Sequence, residues 1–117
     1  MKILIVEDEG MLAVTLKRLL RSNDLTDVEK AGTVEEARRI LTETPIDFVM
    51  TDFNLPDGNG AQVIRFAKER ISDIKTLCMS GREENESAAL EAGASAFLAK
   101  PFTSDEFFGA LARIGVI

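Results

Sequence analysis

The sequence predicts an α/β fold, a three-layer doubly wound (βα)5 sandwich around a five-stranded parallel sheet. Three observations predict it. Five short strand-like runs alternate with segments of helical period along 117 residues, with no linker, repeat or low-complexity stretch between them. The first run, Ile3-Leu4-Ile5-Val6, is continuously apolar, as a strand covered by helices on both faces must be. Polar residues stand where four of the runs end: Glu7-Asp8, Asp52, Ser80 and Lys100. In a parallel sheet those ends lie along one edge.

After the first strand, Leu12, Leu16, Leu19 and Leu20 recur at helical spacing. Residues 28–31 form a short, weakly apolar strand, expected near an edge of the sheet. Thr33-Val34-Glu35-Glu36 reads as a capping box for a second helix, which buries Val34, Ala37, Ile40 and Leu41 and stops at Thr44-Pro45. Residues 47–51 are a third strand running into Asp52. The stretch Phe53-Asn54-Leu55-Pro56-Asp57-Gly58-Asn59-Gly60 is dense in turn residues. A third helix carries Val63, Ile64, Ala67 and Ile71 inward, and a fourth strand covers residues 74–79. Residues 82–92 are polar and then alanine-rich, a helix with a thin apolar face, expected to be the most mobile. Residues 96–99 are the fifth strand. Thr103-Ser104-Asp105-Glu106 caps a last helix with Phe107, Leu111 and Ile114 inward. The strand order 2-1-3-4-5 sets strands one and three side by side, and the ligand site then lies outside their carboxyl ends. Residues 1–117 are expected to form one domain.

Composition narrows the function classes. The chain is 45% hydrophobic, enough to fill a core, and 29% charged with both signs interspersed. No apolar stretch approaches the ~18–20 residues of a membrane helix, and the start is too short and too acidic for a signal peptide. A cytoplasmic protein with no membrane partner is expected. The net charge of −6 argues against a direct nucleic-acid partner, which needs a basic patch. Histidine is absent, which excludes Ser-His-Asp and Cys-His nucleophilic chemistry and any phosphate carried on the chain's own imidazole. The single cysteine, Cys78, lies within the fourth strand and reads as an apolar filler rather than a redox thiol.

Three carboxylates, a hydroxyl and an ammonium at one sheet edge suit a divalent metal and a phosphoryl group better than a neutral ligand. Mg²⁺ takes a few carboxylate oxygens, keeps waters and leaves room for phosphate oxygens. Asp8 and Asp52 are the candidate direct ligands, with Glu7 a longer arm or a ligand through water. A metal keeps Asp52 ionised, and an ionised carboxylate is a competent nucleophile towards phosphorus. Lys100 supplies a point charge on a flexible stem, and Ser80 a hydrogen bond to a phosphoryl oxygen. The Lys100-Pro101 bond is a candidate cis peptide, since X-Pro bonds adopt that form readily.

At these residues the chain resembles the receiver domain of two-component response regulators, over essentially its whole length. The resemblance rests on the acid pair Glu7-Asp8, on Asp52-Phe53-Asn54-Leu55-Pro56 through Gly60, on Ser80, on Lys100-Pro101, and on Phe97 three residues before the lysine. The strand order above is also this family's, so the two expectations are not independent. The resemblance implies a phosphorelay switch, with Asp52 phosphorylated by a histidine kinase or histidine phosphotransfer protein in the presence of Mg²⁺. It implies Asp8, Asp52 and the backbone carbonyl of Asn54 as direct metal ligands, with Glu7 in place of the commoner aspartate. It implies Asn54 and Arg82 as residues that set phosphate lifetime, and Ser80 and Phe97 as the switch pair. The surface of the fourth helix, fifth strand and fifth helix would then change for a downstream protein target, an output domain or a second copy of the chain. Such a domain is not an enzyme on a separate substrate, because it promotes only its own phosphorylation and dephosphorylation.

Two rival readings remain open in the sequence. A phosphatase of the haloacid dehalogenase type also uses a strand-end aspartate, Ser/Thr, lysine and Mg²⁺, but it carries a second aspartate where Asn54 stands. A binding module that kept the fold and lost phosphorylation would not need the full set of Asp8, Asp52, Ser80 and Lys100. The chain reads equally as a stand-alone receiver or as the receiver portion of a longer protein.

Overall fold

The computed structural model describes residues 1–117. Five strands form one parallel sheet: β1 (Ile3–Val6), β2 (Val28–Ala31), β3 (Phe48–Asp52), β4 (Lys75–Ser80) and β5 (Ala96–Ala99). Their order is β2-β1-β3-β4-β5, as the sequence predicts. Five helices connect and flank them: α1 (Gly10–Arg21), α2 (Val34–Glu43), α3 (Gly60–Arg70), α4 (Glu86–Ala92) and α5 (Ser104–Ile114).

The sheet separates two apolar layers, and the two-residue period of the strands deals side chains alternately to each. Ile3, Ile5, Phe48, Met50, Leu77 and Met79 meet Leu16 and Leu20 of α1 and Phe107 and Leu111 of α5. Leu4, Val6 and Val49 face the other way, onto α2 and the inner residues Val63 and Ala67 of α3. Cys78 shares that second side with Ile64, Ala89 and Ala92, so it is core filler as expected, and burial pushes its thiol up to about 12. All four residues of β1 are fully buried, which accounts for its unbroken apolar run.

Several local expectations change. Ile71 is not part of the buried stripe of α3; it caps the helix and is 37% exposed. Leu12, Leu19 and Ile114 pack only at the margin of the core. The fourth helical segment opens as a single 3₁₀ turn at Glu83–Asn85 and contributes only Ala89 and Ala92 to the interior. The loop after Asp52 is more ordered than its turn residues suggest. Asn54–Leu55 and Gly58–Asn59 pair as a small antiparallel hairpin. Asn59 then forms a full capping box with Gln62 at the start of α3.

At the start of α2 the predicted box is only half made. Thr33 accepts from the Glu36 amide, but the Glu36 carboxylate accepts from Gly32 rather than from Thr33. Asp57, at the hairpin tip, completes the cap from a distance. Its two carboxylate oxygens accept from the Val34 amide at 2.8 Å and the Glu35 amide at 3.0 Å. These two bonds hold the Asp57 carboxyl below its ordinary value, and they fasten the loop that follows Asp52 to α2.

A carboxyl with a lowered folded-state pKa contributes stability above its unfolded value and loses it as pH falls through the folded value. Asp57→Ala is therefore expected to lower the melting temperature by a few degrees at neutral pH, with the gap closing in strong acid. Thermal melts followed by far-UV circular dichroism at the two pH values check this.

Candidate functional site

The strand ends assemble as the sequence predicts. Asp52 and Ser80 are the last residues of β3 and β4, while Glu7 and Lys100 follow β1 and β5 directly. One carboxylate oxygen each from Glu7, Asp8 and Asp52 lies within 4.8 Å of the others. Glu7 is 1% exposed, Asp8 is open to solvent, and the Asp52 side chain keeps 12% of its surface, enough for a reactant to reach it. Thr51, just before Asp52, turns its hydroxyl to the Asp52 carbonyl at 2.9 Å. A Cβ on Gly60 would stand 2.6 Å from that same carbonyl oxygen, so glycine lets the start of α3 close against the strand end.

Lys100 crosses the site and joins two of its acids. Its ammonium lies 3.1 Å from Asp52 Oδ1 and 3.2 Å from Glu7 Oε1. Burial alone would lower the Lys100 pKa, but the Asp52 and Glu7 carboxylates outweigh it and the pKa rises. Burial raises the Glu7 pKa, and the Asp52 charge adds to this. The Glu9 amide and Lys100 pull it down by less. The Lys100–Pro101 peptide is cis.

Ser80 is wholly buried, and its hydroxyl oxygen accepts from the Arg82 amide at 3.0 Å and from Asn85 Nδ2 at 2.9 Å. The Arg82 guanidinium turns outward to Glu84, and only its backbone touches this group. Asn54 is exposed at the first rung of the hairpin, two residues beyond Asp52. Phe97 lies half-buried with Phe53 against Ile64, Cys78, Ala89 and Ala92. Sequence reasoning missed Asn85 and Asp57. Asn85 stands just before a helix and would be read as an ordinary cap, and Asp57 looks like a turn residue.

Comparison with known proteins supplies the family. The family model described as response regulator receiver domain matches residues 3–112. The chain belongs to that family. Against the chemotaxis protein CheY of Pseudomonas aeruginosa it is 32% identical, covering 89% of this chain and 87% of the relative. Against the response regulator protein PilR of the same organism it is 35% identical over 86% of this chain, but spans only 23% of that protein's length. Among solved structures, the non-phosphorylated HemR receiver domain from Leptospira biflexa superposes with a TM-score of 0.84 at 33% identity, covering 97% of this chain and 92% of that one. A CheY-like receiver domain protein from Methanospirillum hungatei gives 0.86 at 26% identity, covering 95% and 90%. This is therefore a receiver domain of two-component signalling, not a conventional enzyme, and its family implies a histidine kinase as partner. No helix is long and apolar enough to cross a membrane.

The acidic cluster is consistent with the Mg²⁺ site of receiver domains. A hard dication fits the residues present: the donors are all oxygens, one carboxylate faces solvent, and one is buried at a raised pKa that a cation would relieve. A carboxyl with a raised folded-state pKa favours the fold below its unfolded value and loses that contribution as pH rises through the folded value. Glu7→Gln is accordingly expected to raise the metal-free melting temperature by a few degrees at neutral pH and to have no effect in acid. Added Mg²⁺ should stabilise the unaltered protein more than the variant. Scanning calorimetry with and without Mg²⁺ measures both differences.

Proposed function

We propose that residues 1–117 act as one phosphorylation-dependent switch in the cytoplasm, and that Asp52 is its single phosphoacceptor. The observation that carries this reading is the position of Asp52. It is the one acid of the cluster both reachable from solvent at a strand end and bonded to the ammonium of Lys100, at 3.1 Å. With no histidine in residues 1–117, the phosphohistidine donor lies outside them, on a histidine kinase or a histidine phosphotransfer protein.

In the transfer, an Asp52 carboxylate oxygen forms the O–P bond as the donor's P–N bond breaks, and the electron pair leaves with the imidazole nitrogen. Asp8, Asp52 and the Asn54 carbonyl would hold Mg²⁺, with Glu7 acting through water. The ion supplies positive charge against the phosphoryl oxygens. Lys100 exchanges its bond to Asp52 for one to a phosphoryl oxygen, and the Ser80 hydroxyl donates to another. Phe97 then fills the space that Ser80 leaves. The surface of α4, β5 and α5 changes, and a protein target, an output domain or a second copy reads it. Asn54 and Arg82 flank the phosphoryl group and set its lifetime. Arg82 would do so only after leaving Glu84.

Incubation with acetyl phosphate and Mg²⁺ followed by intact mass measurement tests the reading. One added phosphoryl group is expected, labile to hydroxylamine and absent in Asp52→Ala. Asp8→Ala should slow labelling on the order of a hundredfold, the scale of several kcal/mol from a lost metal. Label on another residue overturns the assignment, and steady hydrolysis of a phosphate ester would favour the phosphatase reading instead.

A further inference from the structure

Asn85 occupies the cap position of α4, where an asparagine side chain ordinarily accepts a hydrogen bond from the first free amides. Here it makes no cap bond. Its amide points back across the turn and donates to the hydroxyl of Ser80 at 2.9 Å. The Arg82 amide donates to the same oxygen at 3.0 Å, so both lone pairs of a wholly buried hydroxyl are engaged from the α4 side. The Ser80 backbone meanwhile stays in the sheet, its carbonyl accepting from the Lys100 amide at 2.8 Å. The side chain can therefore turn only about its own Cα–Cβ bond, and a turn to another rotamer gives up the bond from Asn85.

The helix whose cap residue donates this bond is lightly seated. It spans seven residues, and only Ala89 and Ala92 are buried. With so little apolar area holding it, one hydrogen bond at its start is a large share of what fixes it.

We propose that Asn85 is a positioning residue that holds the Ser80 hydroxyl away from Asp52 in the resting state, so that its release couples phosphorylation to α4. The proposal rests on Asp52 being the phosphoacceptor. Asn85 touches neither phosphoryl donor nor metal and acts through Ser80 alone. Its removal frees the hydroxyl to take up the phosphoryl-facing position beforehand. An aspartate in its place would still hold the hydroxyl, by accepting a hydrogen bond from it.

The test compares the unaltered domain with Asn85→Ala and Asn85→Asp. The readouts are the initial rate of labelling by acetyl phosphate with Mg²⁺, and the amide resonances of α4 and β5 before any phosphoryl donor is added. Asn85→Ala should label about fivefold faster, the equivalent of about 1 kcal/mol for one net hydrogen bond. Its α4 resonances should move, without phosphate, along the direction that phosphorylation moves them in the unaltered domain. Asn85→Asp should keep the resting resonances and label more slowly. A merely structural cap would alter thermal stability in both variants and leave the direction of the resonance shifts unrelated to phosphorylation. If the unaltered domain fails to label at Asp52, the phosphoacceptor reading falls. If it labels and Asn85→Ala shows the unaltered rate and resonances, or both variants change rate in the same direction, the role of Asn85 is overturned. Should Asn85→Ala not fold, Asn85→Asp decides alone: resonances displaced towards the phosphorylated positions, or faster labelling, overturn the proposal.

Discussion

The structure turns on one ammonium set among three carboxylates. Glu7, Asp8 and Asp52 lie close enough to repel strongly, and only Lys100 is bonded into the cluster to offset them. Two unit charges 4 Å apart interact by roughly 4 kcal/mol at the effective dielectric of a protein surface, before desolvation and solvent screening reduce it. The balance also constrains side-chain length. Lys100 follows β5 and Glu7 follows β1, with β3 and β4 between them. Adjacent strands are about 4.8 Å apart, so the gap is bridged by two long side chains reaching towards each other over the strand ends. A glutamate in the first acid position and a lysine in the last are matched in that respect. The pairing still leaves the cluster net negative, which is the condition under which a dication is welcome.

The sheet keeps these groups from relaxing apart. Asp52 and Ser80 end strands in which every preceding residue except Lys75 is buried, and the hydrogen bonds continue past the strand ends. The Phe53 amide donates to Met79 and the Lys100 amide to Ser80, both at 2.8 Å. The loop beyond Asp52 is fastened at two further points, by Asp57 to α2 and by Asn59 with Gln62 to α3. Repulsion inside the cluster therefore cannot discharge itself by moving backbone. Burial first, and the Asp52 charge after it, keep the Glu7 pKa raised, and the two carboxylates hold Lys100 tightly.

What the sequence revealed follows from where each signal comes from. Strand order, the two core layers and the convergence of Glu7, Asp8, Asp52, Ser80 and Lys100 depend on period and on strand ends, which are local patterns with few solutions in a parallel sheet. Legibility failed where a side chain bonds to something far along the chain. Asp57 and Val34 are separated by 23 residues, so nothing in the turn Leu55-Pro56-Asp57-Gly58 shows that its acid caps another helix. Asn85 misleads for the opposite reason, since it sits where an ordinary cap would and spends its amide elsewhere. Ile71 has the right spacing for the inner face of α3, but the helix has ended before it, and periodicity carries no information about a helix's last turn.

The two sides of the site differ in how firmly they are held, and the difference runs through Ser80. On its backbone side it is fixed to β5 through Lys100; on its side-chain side it meets a helix seated by two alanines. Alanine methyl groups bury little area, so α4 resists displacement weakly, whereas the leucines and phenylalanines under α1 and α5 resist it strongly. Phe97 lies on the weak side, packed among Ala89, Ala92, Cys78 and Phe53. Its ring has no hydroxyl to bond, so its position depends only on the space its neighbours leave. A change in charge at Asp52 that drew the Ser80 hydroxyl inward would thus alter packing where packing is least costly to alter. The charged cluster needs a rigid frame to hold its repulsion, and a signal needs a part that yields; the apolar composition of the helices assigns those two demands to different layers of one small fold.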